Sequence, residues 1–229
     1  MNLTDILVAS DYDRTISDEK DSFVINNAVR EKINKFSKNN YFVVVTGRER
    51  RFIDRLAYGL EPTGWVLENG ALIMINDKVY YNIPKSWPKL RFEIGKRLSA
   101  ERLNFTYGEV IIYLNNVSNN ICDLFSDLYE VSVEWNRSDV MIMPKGVNKG
   151  NGIKKFAEIL GFKGRIIAVG DSQNDVSLFK AADFKVAVNN ALKEIKEMAD
   201  LVLNKDDGQG IIELLDYIES GEIYKLGLS

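Results

Sequence analysis

Residues 6–15 read ILVASDYDRT, and the organisation of the chain follows from this stretch. The run ILVAS is short, apolar and rich in β-branched residues, which predicts a buried strand. Asp11 and Asp13 stand at its end, with Thr15 two places on. Residues two apart in an extended chain face the same side, so both carboxylates can point at one spot. Like charges this close repel and push one pKa up. A cation, or a division of labour between acid and base, would account for the pair.

Outward from this strand the chain alternates. Ile25, Val29, Ile33 and Phe36 recur at helical spacing, YFVVV (41–45) is a second apolar strand, RERRFIDRLAYGL is helical, and WVL (65–67) is apolar again. Strand–helix–strand order predicts βαβ units around a parallel sheet with helices on both faces, a Rossmann-like α/β core. Two short runs flanking Asn76-Asp77 predict a hairpin. From about Pro84 the rhythm changes. A helix outlined by Trp87, Leu90, Ile94 and Leu98 has Pro88 in its first turn. A strand (EVIIYLNN), a helix (NNICDLFSDLYE) and two strands (VSVEW, DVMIM) follow, up to the breaker cluster Pro144-Lys145-Gly146. Residues 84–144 are therefore expected to form a small inserted α+β cap domain, with 1–83 and 145–229 as the core. The first rhythm then resumes through NKGNGIKKFAEILGF, RIIAV, KVAV, ALKEIKEMA, LVL and GIIELLDYIES.

The 229 residues are 45% hydrophobic and 28% charged, ordinary for a globular chain. A net charge of −3 gives no basic excess to suggest nucleic acid or an anionic membrane as partner. There is no run long enough to span a membrane and no signal segment, so a cytoplasmic protein is expected, a monomer or homodimer. The single cysteine, Cys122, falls in the apolar helical pattern and reads as a core residue in a reducing compartment. The chain has no histidine, which removes Ser-His-Asp and Cys-His catalysis and histidine metal ligands. Chemistry must come from carboxylates, lysines, hydroxyls and backbone.

Four clusters follow strands or open helices. Asp11 and Asp13 are the first. Thr46-Gly47, directly after a strand, offers a hydroxyl and a backbone N–H suited to a phosphate oxygen. Lys149 opens a helix, where a cation opposes the macrodipole, so helix stability does not explain it. Asp171 ends RIIAVG in VGDSQND, with Asp175 one turn on. Two more carboxylates there can complete an oxygen cage for a hard cation such as Mg2+. Each cluster also has an ordinary reading as a solvated loop, a turn or a helix cap.

In this order DYDRT, TGR, Lys149 and GDSQND resemble the four motifs of the haloacid dehalogenase superfamily of phosphotransferases. ENGALI (68–73), PKGVNKG (144–150), VAVNNA (186–191) and ADLVLNKDDGQG (199–210) look like its Cof-type branch, whose cap lies between the second and third motifs. The resemblance implies that Asp11 is the nucleophile, forming an aspartyl-phosphate, and Asp13 the general acid/base. It implies Mg2+ held by Asp11, the Asp13 backbone carbonyl, Asp171 and Asp175, the last by ligation or by positioning Lys149. Thr46, Gly47, Lys149 and Asn174 would hold the phosphoryl group. Arg14 departs from the branch, where glycine is commonest. It is either solvent-facing or placed to pair with a second negative charge on the substrate.

The substrate implied is a small phosphorylated metabolite. The short cap and compact length look like the archaeal phosphoglycolate phosphatases. Sugar-phosphate phosphatases of the branch, a phosphomutase and a silent binding module are the alternatives.

Overall fold

The computed structural model describes residues 6–117, 121–136 and 138–228. Strand and helix alternate through β1 (Ile6–Ser10), α1 (Asn27–Ser37), β2 (Tyr41–Val45), α2 (Arg50–Leu56) and β3 (Gly64–Leu67). The hairpin β4 (Leu72–Ile75) and β5 (Lys78–Tyr81) follows. The insert contributes α3 (Trp87–Ala100), β6 (Thr106–Tyr107), β7 (Ile112–Leu114), β8 (Val131–Asn136) and β9 (Asp139–Pro144). The chain closes with α4 (Lys149–Leu160), β10 (Arg165–Gly170), α5 (Val176–Ala181), β11 (Phe184–Ala187), α6 (Lys193–Met198), β12 (Leu201–Val202) and α7 (Asp207–Ser220).

Eight strands form one sheet in the order β12-β11-β10-β1-β2-β3-β4-β5. The first six are parallel and the last two antiparallel, as the hairpin reading expects. Asn76 and Asp77 carry φ of 48° and 61°, the pair of positive values that a two-residue hairpin turn with the right twist demands. Every residue of β1 is buried, which requires cover on both faces of the sheet. The helices α1 and α7 pack together, and so do α4 and α5. Strand order reverses between β10 and β1, and ligands bind outside the carboxyl ends of strands at such a switch. Register there pairs Ser10 with Val169, so Asp11 leaves the sheet level with Gly170, one residue before Asp171.

The second sheet, β6-β7-β9-β8, is antiparallel throughout. It is tied to the large sheet by buried polar contacts. The Glu68 carboxylate accepts backbone N–H groups from Glu109, Val110 and Ile111 at 2.8, 2.9 and 2.8 Å. Within the insert, Trp87 Nε1 donates to the Val110 carbonyl at 2.8 Å and holds α3 to the same loop. The Tyr113 hydroxyl donates to the Gly47 carbonyl at 2.8 Å, which sets β7 above the carboxyl end of β2.

One stretch of the insert departs from its sequence pattern. NNICDLFSDLYE is expected to be helical, but its described part forms only a 3-10 turn over Cys122–Phe125, residues 118–120 lying outside the described set. Ile121 and Phe125 are buried, but the Leu124 carbonyl is taken by the Arg97 guanidinium at 2.9 Å. Arg97 also pairs with Asp127, and the Ser126 hydroxyl donates to the Asp123 carbonyl, local bonds that compete with a helix. Cys122 is consequently exposed, not a core residue.

Close backbone approach places the start of α4. A Cβ on Gly150 would lie 2.1 Å from the Ser177 carbonyl oxygen, and one on Gly70 (φ 96°) would lie 2.2 Å from that of Asn148. Only glycine lets this turn sit so deep, and Lys149 is carried in with it. Gly150→Ala is expected to lower stability by roughly 1–3 kcal/mol through overpacking. The urea midpoint measures this; an unchanged midpoint would mean that α4 retreats at no cost.

Candidate active site

Asp11 is buried one residue beyond β1, and its N–H donates to the Val169 carbonyl at 2.9 Å, an extension of the β1–β10 pairing. Lys149 reaches it from the first turn of α4. Its side chain is 0% exposed, and Nζ lies 2.5 Å from Asp11 Oδ1 and 2.7 Å from Asp175 Oδ1. Asp175 also closes the turn after β10, its Oδ2 accepting the N–H groups of Asp171 and Ser172 at 2.9 and 3.1 Å. The cation that opposes the helix dipole is therefore stabilised by two carboxylates from other elements.

Asp11, Asp171 and Asp175 each offer an oxygen within 4.8 Å of the others. Asp171 Oδ1 is buried with no hydrogen-bond partner, while its Oδ2 accepts from Arg14 Nε at 3.2 Å. An orphaned carboxylate oxygen beside two more carboxylates, with no histidine or paired cysteine, is a hard all-oxygen donor set that fits a divalent cation. Asp13 stands apart from this cluster. Arg48 Nε lies 2.8 Å from both of its carboxylate oxygens, and the guanidinium rests over the Phe23 ring at 4.8 Å. The metal role implied for Asp13 is one for its backbone carbonyl.

A cleft of about 350 Å3 opens above these groups. Asp11, Asp13, Arg14, Gly47, Arg48 and Asn174 line its floor, while Tyr113, Asn115 and Met141 line its roof from the small sheet. Asn174 is half-buried in the 3-10 turn Gln173–Asp175, its Oδ1 accepting from the Ser172 hydroxyl. Thr46 is fully buried behind the wall, and its hydroxyl accepts the Arg48 N–H at 3.2 Å. Arg14 is not solvent-facing: its side chain is 15% exposed and paired with Asp171.

Two groups escape the sequence reading. Arg48, the third residue of TGR, is left unassigned there, although its place in that triplet is a usable signal. Glu68 gives no local sign, because its partners lie more than 40 residues on.

The sequence matches the haloacid dehalogenase-like hydrolase family over residues 8–117 and 91–215, spans that include every group above. The chain belongs to this family. The hydrolase is 49% identical over 223 residues to phosphoglycolate phosphatase 2 of Saccharolobus solfataricus, covering 96% of this chain and 95% of that one. It is 50% identical over 212 residues to a phosphoglycolate phosphatase of Sulfurisphaera tokodaii, covering 93% of each. The crystal structure of protein 0175 of Thermoplasma acidophilum shares the fold, with a TM-score of 0.77 at 20% identity over 93% of this chain and 97% of that one. Among the described residues of the hydrolase, no helix is long and apolar enough to cross a membrane.

The electrostatics of the hydrolase's cluster are unbalanced. Burial and the charge of Asp175 push the Asp11 carboxyl well above the usual carboxylate range, against the pull of Lys149. Burial and Asp175 raise Asp171 too, against the pull of Arg14. Burial alone would depress Lys149, but Asp11 and Asp175 hold its ammonium above the ordinary lysine value. Excess negative charge in a buried cluster is what a divalent cation offsets.

Lys149→Met would leave Asp11 and Asp175 buried without a countercharge, at a cost of roughly 3–5 kcal/mol. A carboxyl whose folded pKa is raised favours folding when protonated, and that contribution is lost as pH rises through the folded value. The variant's deficit is therefore expected to be greatest at neutral pH and to shrink toward the ordinary carboxylate pKa of about 4. Urea unfolding in metal-free buffer at both pH values measures it, and equal deficits would refute the assignment.

Proposed function

We propose that this hydrolase is a Mg2+-dependent phosphoglycolate phosphatase working through an aspartyl-phosphate. The observation that carries the reading is the buried Asp11–Lys149–Asp175 contact at the carboxyl ends of β1 and β10. The substrate is supported by the names of the two relatives at 49% and 50% identity. It is supported also by a small cleft whose floor carries Arg14 and Arg48, which suit a leaving group with a negative charge.

Lys149 holds Asp11 by Oδ1, which leaves Oδ2 as the attacking oxygen. Attack on phosphorus expels the alkoxide, and Asp13, oriented by Arg48, protonates it. Asp13 then takes the proton of the water that hydrolyses the aspartyl-phosphate. The Gly47 N–H, Lys149, Thr46 and Asn174 stabilise the phosphoryl oxygens as charge spreads over them. Mg2+, held by Asp11, Asp171, Asp175 and the Asp13 carbonyl, would supply the charge that lets an anionic nucleophile approach an anionic phosphate. Residues 84–144 act as the cap that keeps bulk water from the cleft.

Phosphate release is expected from phosphoglycolate in preference to sugar phosphates and nucleotides, with loss of turnover on chelation and its return with Mg2+. Asp11→Asn is expected to abolish turnover, since an amide is no nucleophile. Near wild-type turnover by Asp11→Asn would refute the covalent scheme, and a preference for a sugar phosphate would move the substrate to the neighbouring class.

A further inference from the structure

We propose that Arg14 is a positioning residue for the metal site: it holds one oxygen of Asp171 and so presents the other to the cation. The inference rests on the metal reading given under Proposed function. The two oxygens of Asp171 are not equivalent. Oδ2 accepts from Arg14 Nε at 3.2 Å, and Oδ1 is buried with no hydrogen-bond partner. A carboxylate free to rotate would exchange the two. With Oδ2 held, Oδ1 is the oxygen left without a partner, in a cluster where Asp171 offers one oxygen within 4.8 Å of oxygens of Asp11 and Asp175. Hydrogen bonds that orient a ligating carboxylate tune metal affinity by restricting it to one useful geometry.

Three further observations make Arg14 a built feature. The first is its backbone. Its φ of 57° is left-handed, a conformation that glycine adopts freely and an arginine only against strain. That backbone is pinned from both sides. The Arg14 N–H donates to the Ser17 carbonyl at 2.7 Å, and its own carbonyl accepts from Asn190 Nδ2 at 2.8 Å. The departure direction of the side chain is thereby set. The second is the guanidinium itself, mostly buried, with the exposed Glu19 carboxylate 3.9 Å from Nη1. Burial and the Nε contact with Asp171 limit the positions the planar fork can take.

The third is the allotment of charge. Lys149 serves Asp11 and Asp175, and Arg48 serves Asp13. Arg14 is the cation that meets Asp171. An arginine that competed with the metal for Asp171 would weaken binding, whereas one that orients the ligand strengthens it. The structure favours orientation, because the arginine and the orphaned position use different oxygens.

The test is Mn2+ binding, followed by electron paramagnetic resonance of free Mn2+ in metal-stripped protein without substrate. Arg14→Gly relieves the backbone strain, and Arg14→Gln keeps much of the length but loses the charge. Both are expected to bind Mn2+ about 10- to 100-fold more weakly than wild type, the size of an outer-shell effect. Arg14→Gly relieves backbone strain but leaves the buried Asp171 carboxylate without its guanidinium, so its metal-free urea midpoint is expected to fall modestly, with the native near-ultraviolet circular dichroism retained in the absence of denaturant. In an Asp171→Asn background, Arg14→Gly is expected to change Mn2+ affinity no further, because its effect passes through that carboxylate. Unchanged or tighter Mn2+ binding by both variants would overturn the proposal, tighter binding marking Arg14 as a competitor. So would a loss of affinity accompanied by loss of the native near-ultraviolet circular dichroism in the absence of denaturant, or one that persists undiminished in the Asp171→Asn background. If the wild-type protein takes up no Mn2+ while Asp11→Asn still abolishes turnover, the metal reading falls, and this proposal with it, while the nucleophile assignment stands.

Discussion

A lysine ammonium buried to 0% exposure between two carboxylates is the constraint on which the rest of the molecule depends. An unpaired ammonium there would cost several kcal/mol of desolvation, so Lys149 can sit in the core only if Asp11 and Asp175 arrive together. They arrive on separate elements, one after β1 and the other in the turn after β10. Their meeting requires the β1–β10 register that pairs Ser10 with Val169, and the α4 start that Gly150 and Gly70 admit. Sheet order, register and helix placement are thus coupled to one ion cluster. The cluster in turn needs a position for α4 that an added methyl group would block.

A second constraint joins the small sheet to the large one. Glu68 satisfies three backbone N–H groups of the insert with one carboxylate, and burial raises its pKa although those N–H groups pull the other way. A buried carboxylate with three donors is a strong point of attachment, because removing it would orphan all three. Tyr113 adds a contact from the same insert to Gly47. The roof of the cleft is therefore referenced to the two turns that follow β2 and β3, and its height above Asp11 follows from those bonds.

Much of this was legible in the sequence because strand ends are local. The pairs Asp11/Asp13, Thr46/Gly47 and Asp171/Asp175 each declare themselves by residue type within a few positions of an apolar run, and Lys149 by standing where a helix start disfavours a cation. The hairpin was legible for the same reason, with Asn76 and Asp77 tolerating the positive φ they adopt. Long-range choices were not. That Arg48 turns to Asp13 depends on β1 and β2 lying side by side in one sheet, and that Glu68 turns to residues 109–111 depends on how two sheets stack; no local pattern encodes either. Cys122 was misread because helical spacing across so short a segment is weak evidence when Asp and Ser offer competing local bonds and Arg97 takes a carbonyl the helix would need.

Three of the ten non-glycine residues with positive φ among the described residues border the site. Arg14, Glu68 and Asn69 hold φ of 57°, 48° and 53°, values that non-glycine residues adopt at a cost of roughly 1–3 kcal/mol each. Each has a side chain facing either the cluster or the roof: Arg14 meets Asp171, Glu68 caps the insert loop, and Asn69 meets Met141 Sδ at 3.1 Å. Glycine would relax the backbone at all three positions and forfeit those contacts. At these three positions the side chain contributes more than the backbone loses. By the same comparison the strain at Arg14 is stored at the carboxylate with an oxygen to spare, and is not an accident of the loop.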